Sequence, residues 1–400
     1  MHTIHCGLGA SYGAQDKGED SWCQLSLASG VFLLFSGLCV IIGCVVSNLS
    51  INNKRILGKI DMCSDSTWKH IEIAGGQHVN IGILGAGNIA GVMADTINKM
   101  DDVELYAVGS RTLEKANAFA REFDIDKTYG SYEELVSDDA IDLIYIATPH
   151  SHHYEHMKLC IEHGRNVLCE KAFTYDAAQA EEIAALAAEK NVYVAEAIWT
   201  RYMPSRRIIN EILESGVIGD IRTMTCNLSY PISKIERLIR PELAGGALLD
   251  VGVYGLNFIV MHMGKEISAI ESSVMMHETG VDGQESITVK YEDGRMAVTT
   301  HSIYGRSDRK GIFYGEKGYM IVNNINNPQG IDVFDCEDRL IRHVDVPEQI
   351  SGYEYEIMES LDMIRQGRTQ SESMPLAESI YMMKLMDDIR KEWAGALKRL

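Results

Sequence analysis

The sequence predicts a doubly wound α/β domain with a parallel sheet, followed by an α+β domain with an antiparallel sheet. Three observations predict it. An apolar strand, Val79–Leu84, runs directly into Gly85-Ala86-Gly87-Asn88-Ile89-Ala90. From there to Trp199, short apolar strands alternate with helical segments. Past Trp199, longer alternating strands take over. The 400 residues are enough for two such domains. We divide the chain into an N-terminal extension over 1–78, a first domain over 79–199 and a second over 200–400.

After the first strand a helix starts at Asn88. Val103–Gly109 is the second strand, and a helix over Thr112–Glu122 follows. The apolar run Ile141–Ala147 ends in Ala147-Thr148-Pro149, then comes a helix over His152–His163 stopped by Gly164. Asn166–Cys169 is a strand leading to Glu170-Lys171, a helix covers Asp176–Lys190, and Val192–Ala197 is the last strand of the series. A helix at Ser205–Ser215 opens the second domain. Ser286–Tyr291 and Met296–Ser302 flank Glu292-Asp293-Gly294 as a hairpin. Helices at Glu354–Gln366 and Pro375–Trp393 close the chain. In the last, Ile380, Met383, Leu385, Met386 and Ile389 make an apolar stripe, read as core packing.

The glycine turn is the strongest chemical clue. Gly85 lets the strand turn sharply, Gly87 lets a pyrophosphate approach the backbone, and Ala90 is small enough for the helix to pack on the strand. The helix start at Asn88 and Ile89 offers free N–H groups to phosphates. The motif stands in its required strand–turn–helix setting. An NAD site carries Asp or Glu about 20 residues past the glycines. Here Ser110 and Arg111 stand at that place, with Lys115 one helical turn on. A hydroxyl and two cations suit a 2′-phosphate, so the expected cofactor is NADP, with NAD as the alternative.

Ligands of open α/β sheets bind beyond the carboxyl ends of the strands. Thr148, Pro149, His150, Glu170 and Lys171 all fall at such ends. The Lys171 ammonium can orient a substrate hydroxyl and stabilise a developing alkoxide. Asp250 and Tyr254, four residues apart after Gly245-Gly246, share a helix face. Near a lysine and an oxidised nicotinamide, a tyrosine's phenolate is favoured and can take the hydroxyl proton. Without those neighbours Asp250 reads as a cap and Tyr254 as packing. The histidines His150, His152, His153 and His156 invite a metal reading, and His152 and His156 share a helical face. No glutamate or cysteine completes a site, so no metal is expected.

The net charge of −20 argues against a nucleic-acid partner. The nine cysteines show no Cys-x-x-Cys or zinc spacing and read as reduced thiols of a cytosolic protein. Ser29–Ile51 carries no charge and is long enough to span a bilayer. Asp16, Glu19 and Asp20 precede it, and Lys54, Arg55 and Lys59 follow, which puts the remainder of the chain in the cytoplasm. The basic flank is on the wrong side for a cleaved signal peptide. Two readings stay open: an anchor, or a mis-assigned leader before a protein that starts near Val79.

The glycine turn, Ala147-Thr148-Pro149 with His153, Glu170-Lys171, Arg201-Tyr202-x-Pro204 and Asp250-x-Gly252-x-Tyr254 occur in the order seen in the Gfo/Idh/MocA oxidoreductases. From Val79 onward the chain resembles that family. Glu196-Ala197-Ile198-Trp199-Thr200-Arg201 and Leu249-Asp250-Val251-Gly252-Val253-Tyr254 resemble its dihydrodiol dehydrogenase and glucose–fructose oxidoreductase branch. The resemblance implies a Rossmann domain plus an open-faced sheet domain that often makes dimers. It places the family's catalytic lysine on Lys171, its aspartate on Asp250 and the branch's acid/base tyrosine on Tyr254. One departure is Glu170-Lys171-Ala172, where the family has Glu-Lys-Pro; proline would stiffen the loop that aims the lysine. The expected activity is hydride transfer between NADP and a secondary alcohol of a sugar, polyol or cyclic diol. Asp250, Trp199 and Arg201 are expected to line the substrate pocket. The alternatives are an NAD-dependent glycoside hydrolase and a nucleotide-binding sensor without turnover.

Overall fold

The first sheet runs β3-β2-β1-β4-β5-β6, every neighbour parallel. It appears in a computed structural model that describes residues 79–101 and 103–397. The apolar run Ser29–Ile51 lies outside the described residues. The strands are β1 (Val79–Leu84), β2 (Val103–Gly109), β3 (Lys127–Tyr129), β4 (Leu143–Ile146), β5 (Val167–Glu170) and β6 (Val194–Ala197). This strand order is that of a dinucleotide-binding Rossmann sheet, with a switch point between β1 and β4. β4, β5 and β6 are buried at every residue, as a sheet covered on both faces requires.

The covering helices are α1 (Asn88–Ile97), α2 (Leu113–Phe123), α3 (Tyr132–Val136), α4 (His153–Glu162) and α5 (Ala177–Lys190). Side-chain caps set three of their starts, those of α2, α3 and α5. Thr112 Oγ1 accepts from Lys115 N, and Asp176 Oδ1 accepts from Gln179 N at 2.9 Å. Sequence periodicity finds neither β3 nor α3, which are too short to show a period. A local signal for α3 does exist: Ser131 Oγ accepts from Glu134 N, and Glu134 reaches back to Gly130 N at 3.0 Å.

The second sheet has the order β14-β13-β12-β11-β7-β10-β9-β8. Its strands are β7 (Ile221–Ser229), β8 (Ile267–Met276), β9 (Asp282–Tyr291), β10 (Met296–Ser302), β11 (Gly311–Gly315), β12 (Gly318–Asn323), β13 (Gly330–Asp335) and β14 (Leu340–Val344). The β7–β10 pair is parallel; the other neighbours are antiparallel. The expected hairpin is β9–β10, although β9 starts four residues earlier, at Asp282. Burial alternates along β9 and β10, leaving one face of the sheet open. The other face carries α7 (Val253–Met263), whose Phe258 packs on Phe313 of β11.

Helix α6 (Pro204–Glu214) begins the second half. Two helices end the chain, α8 (Glu354–Arg365) and α9 (Leu376–Leu397). Met383, Met386 and Ile389 of α9 are core residues. Helix α8 returns to the first sheet: Ile357, Leu361 and Met363 share a core with Ile81, Leu105 and Tyr145. The backbone follows, with Val194 N donating to Thr369 O at 3.1 Å.

Candidate active site

The site begins where β1 ends. Gly85 has φ +115, and a Cβ there would stand 2.9 Å from the Ala147 carbonyl oxygen, so only glycine fits. A Cβ on Gly87 would meet nothing within 4 Å, and no side chain caps α1. The first N–H groups of α1, at Asn88 and Ile89, therefore open onto free space beside a backbone with room for a close anion. Those residues fit a dinucleotide pyrophosphate. Ala90 is fully buried beneath them. At the end of β2, Arg111 and Lys115 are exposed, whereas Ser110 is only 3% exposed.

From this turn a cleft of about 460 Å³ extends to the second sheet domain. Gly87, Asn88, Ile89, Thr148, Pro149, His150, Glu170, Lys171, Asp250 and Tyr254 all line it. Val92, Ile235, Arg237 and Tyr353 line it as well, and sequence reasoning missed them. No periodic or motif signal marks these four; they reach the cleft from α1, from a loop before α7 and from the chain just ahead of α8.

Asp250 is the hub. It lies in a π-helical turn, Leu248–Gly252, which leads into α7 and turns both Asp250 and Tyr254 to the cleft. Asp282 fixes that turn. Its carboxylate accepts from Leu248 N at 2.6 Å and lies where a Cβ of Gly246 (φ +119) would be, 2.2 Å away. Lys171 Nζ donates to the Asp250 carbonyl at 2.7 Å and lies 3.5 Å from Asp250 Oδ1. Arg237 Nη1 donates to the same Oδ1 at 3.0 Å, and His150 Nε2 is 4.0 Å from it. Burial opposes the charge on Asp250, but Lys171 and Arg237 outweigh it and hold the carboxyl well below its usual range. Burial and Lys171 push His150 down to about 3, so it faces the cleft neutral.

Lys171 Nζ also stands 4.8 Å from the centre of the Tyr254 ring. The expected phenolate depends on an oxidised nicotinamide beside the ring; the protein's own groups act the other way. Burial pushes the Tyr254 hydroxyl well up, and the carboxyl groups of Glu170, Asp250 and Glu356 push it further. The group is a phenol with a proton to give. Glu170 Oε1 accepts from the Tyr145 hydroxyl. Burial raises the Glu170 carboxyl, against the pull of Lys171 and of that hydrogen bond.

Arg201, Trp199 and His153, expected as pocket or cofactor contacts, do not reach the cleft. Arg201 is 3% exposed, with Nε on Asn257 Oδ1 at 2.7 Å and Nη1 on Glu378 Oε2 at 3.2 Å; it joins α7 to α9. Trp199 stacks on Tyr353 at 4.1 Å and donates to Asn326 Oδ1, so it backs the cleft wall without forming it. His153 is wholly buried, and both its ring nitrogens face backbone carbonyls. His152 and His156 do share a face, with rings 5.7 Å apart, and His156 Nδ1 pairs with Thr148 Oγ1 at 3.0 Å. Among the described residues no three His, Cys, Asp or Glu side chains come together as a metal site would need.

Known proteins are similar to this chain in sequence and fold. Residues 79–197 match the oxidoreductase family with NAD-binding Rossmann fold, and residues 207–321 match the GFO/IDH/MocA C-terminal domain. The trans-1,2-dihydrobenzene-1,2-diol dehydrogenase of Xenopus tropicalis is 34% identical over 315 residues, covering 77% of this chain and 96% of that one. The Homo sapiens protein of the same name is 31% identical over 319 residues, covering 78% and 95%. A 3-ketoreductase from Actinomadura kijaniata, solved with NADP and TDP-benzene, superposes with TM-score 0.70 at 23% identity over 78% of this chain and 97% of that one. An aldose–aldose oxidoreductase from Caulobacter crescentus superposes with TM-score 0.72 at 17% identity over 79% and 97%. These two share the fold. The matches span both sheets and nearly the full length of the relatives: the chain belongs to the Gfo/Idh/MocA family of NAD(P)-binding oxidoreductases.

Proposed function

We propose that the protein is an NADP-dependent dehydrogenase or reductase acting on a secondary alcohol, or its carbonyl, in a cyclic diol, polyol or sugar. One observation carries this reading: Lys171 bonds the Asp250 backbone and stands over the Tyr254 ring, in a cleft that starts at the open glycine turn. The dinucleotide, when bound, supplies or accepts the hydride. The protein's residues do the rest. In reduction, the Tyr254 phenol gives its proton to the developing alkoxide, and Lys171 holds that oxygen. Asp250, ionised between Lys171 and Arg237, accepts hydrogen bonds from the substrate's other hydroxyls. Val92 and Ile235, both exposed, and the Tyr353 ring give the cleft apolar surface for a carbon ring.

Arg111 and Lys115 support the NADP assignment, since both are exposed where the adenosine ribose of a Rossmann cofactor lies. The names of the relatives support a diol or sugar as substrate. The same reading includes a homodimer, to be tested by sedimentation, and a cytoplasmic catalytic domain, to be tested by fractionation. The deciding experiment is a panel of cyclic diols, polyols and aldoses, oxidised with NADP or NAD while nicotinamide reduction is followed. Higher kcat/KM with NAD sinks the cofactor assignment, and no turnover of any CH–OH compound sinks the whole reading.

A further inference from the structure

His153 opens α4 with its side chain wholly buried. Nδ1 lies 2.8 Å from the carbonyl oxygen of Ala172, and Nε2 lies 2.8 Å from that of Thr148. These carbonyls belong to the loops leaving β5 and β4, which bring Lys171 and Thr148 to the cleft. Neither ring nitrogen is left for a ligand. The sequence motif that marked His153 as a cofactor contact therefore marks something else.

Lys171 is held from several sides. Ahead of it, Glu170 is pinned by the Tyr145 hydroxyl. Its own Nζ is pinned by the Asp250 carbonyl. Behind it, Ala172 does not fix φ as a proline would. The restraint at that point comes from outside the loop, from the His153 ring.

The ring's chemistry suits a clamp. A neutral imidazole has one N–H and an imidazolium has two. Burial pushes His153 down to about 4, the two carbonyls pull the other way, and Lys171 adds to the burial. Both carbonyls are acceptors, so at neutral pH the ring donates to one of them and only packs against the other. The other titratable groups facing it are His150, whose ring centre is 5.7 Å away, and His156 on the same helix.

We propose that His153 is a positioning residue for Lys171: wedged between the carbonyls of Thr148 and Ala172, it donates to one and packs against the other, and so fixes the two loops that aim the lysine into the cleft. This rests on the reading of Lys171 as the group that holds the substrate oxygen. His153→Leu fills similar space without a donor, and His153→Gln keeps one. The Leu variant should retain its fold and NADP affinity while kcat falls by about 100-fold, the scale of an ångström-sized misplacement. The Gln variant should recover most of that loss. Amide hydrogen exchange at residues 148–150 and 171–174 should accelerate in the Leu variant and nowhere else.

A Leu variant with wild-type kcat, or with unchanged exchange in those two segments, overturns the proposal. Should the Leu variant not fold, the Gln variant decides. Retained kcat with protected loops supports the clamp, and lost kcat with protected loops overturns it. If the wild-type protein turns over no CH–OH compound, the functional reading fails alone. The exchange comparison still decides the clamp.

Discussion

Lys171 is closer to the backbone of Asp250 than to its carboxylate: Nζ lies 2.7 Å from the carbonyl oxygen and 3.5 Å from Oδ1. The lysine's position thus depends mainly on the π-helical turn, while Oδ1 takes the shorter Arg237 bond and the longer Lys171 contact. Asp250→Asn should leave Lys171 in place and NADP affinity near normal. Losing one charged hydrogen-bond partner should lower kcat/KM for the alcohol by about 10- to 100-fold. Steady-state kinetics check this, and an unchanged kcat/KM would make the carbonyl the functional part of Asp250.

Tyr254→Phe keeps the ring under Lys171 and removes the proton. Carbonyl reduction should slow by about 100-fold or more, with dinucleotide binding intact by fluorescence titration. Near-normal reduction would move the acid role to Lys171, the next proton carrier in the cleft.

Arg111→Ala should separate the two nicotinamide cofactors. Arg111 stands exposed at the end of β2, so its loss leaves the fold alone. NADP should bind about 10- to 100-fold more weakly while NAD changes little. Equal losses for both cofactors would place the arginine elsewhere on the dinucleotide.

A pH signature follows from β9. Glu285 is fully buried, with Oε1 3.1 Å from His301 Nδ1. Burial pushes its carboxyl well above 4.5, Asp282 adding to it, and burial pushes His301 down to about 3. The folded protein keeps the Glu285 proton, which the unfolded chain releases near pH ~4.3. A raised carboxyl contributes stability that is present below that pH and lost as pH rises towards the folded value. Glu285→Gln should therefore gain stability relative to wild type as pH rises above about 4.3, read by chemical denaturation. A difference between the two proteins that is constant with pH would show Glu285 ionised in the fold.

What the sequence revealed followed physical length scales. β1 and β2 have the bounds their apolar runs suggest: Asn80 and Glu104 fall only at second positions, and the residues that follow are apolar and mostly buried. Lys171 and Glu170 were legible because a strand end fixes where a side chain can point. β3 and α3 were not, being too short to show a period. Arg237 and Tyr353 were hidden for another reason: folding alone brings them to the cleft, from positions far along the chain. Arg201 and His153 stand in motifs that read as ligand contacts, yet the structure spends their polar atoms on Asn257, Glu378 and two carbonyls. Spacing cannot distinguish a group that meets substrate from one that holds its neighbours.

The return of α8 to the first sheet makes the nucleotide-binding half a discontinuous unit. Its core needs Ile357, Leu361 and Met363, which the ribosome delivers only after all eight strands of the second sheet. A fragment ending at Ala197 would expose the apolar face meant for α8 and leave Val194 N without Thr369. Cleavage between the sheets should not release a stable nucleotide-binding piece. The nucleotide-binding half is complete only once the end of the chain has joined it.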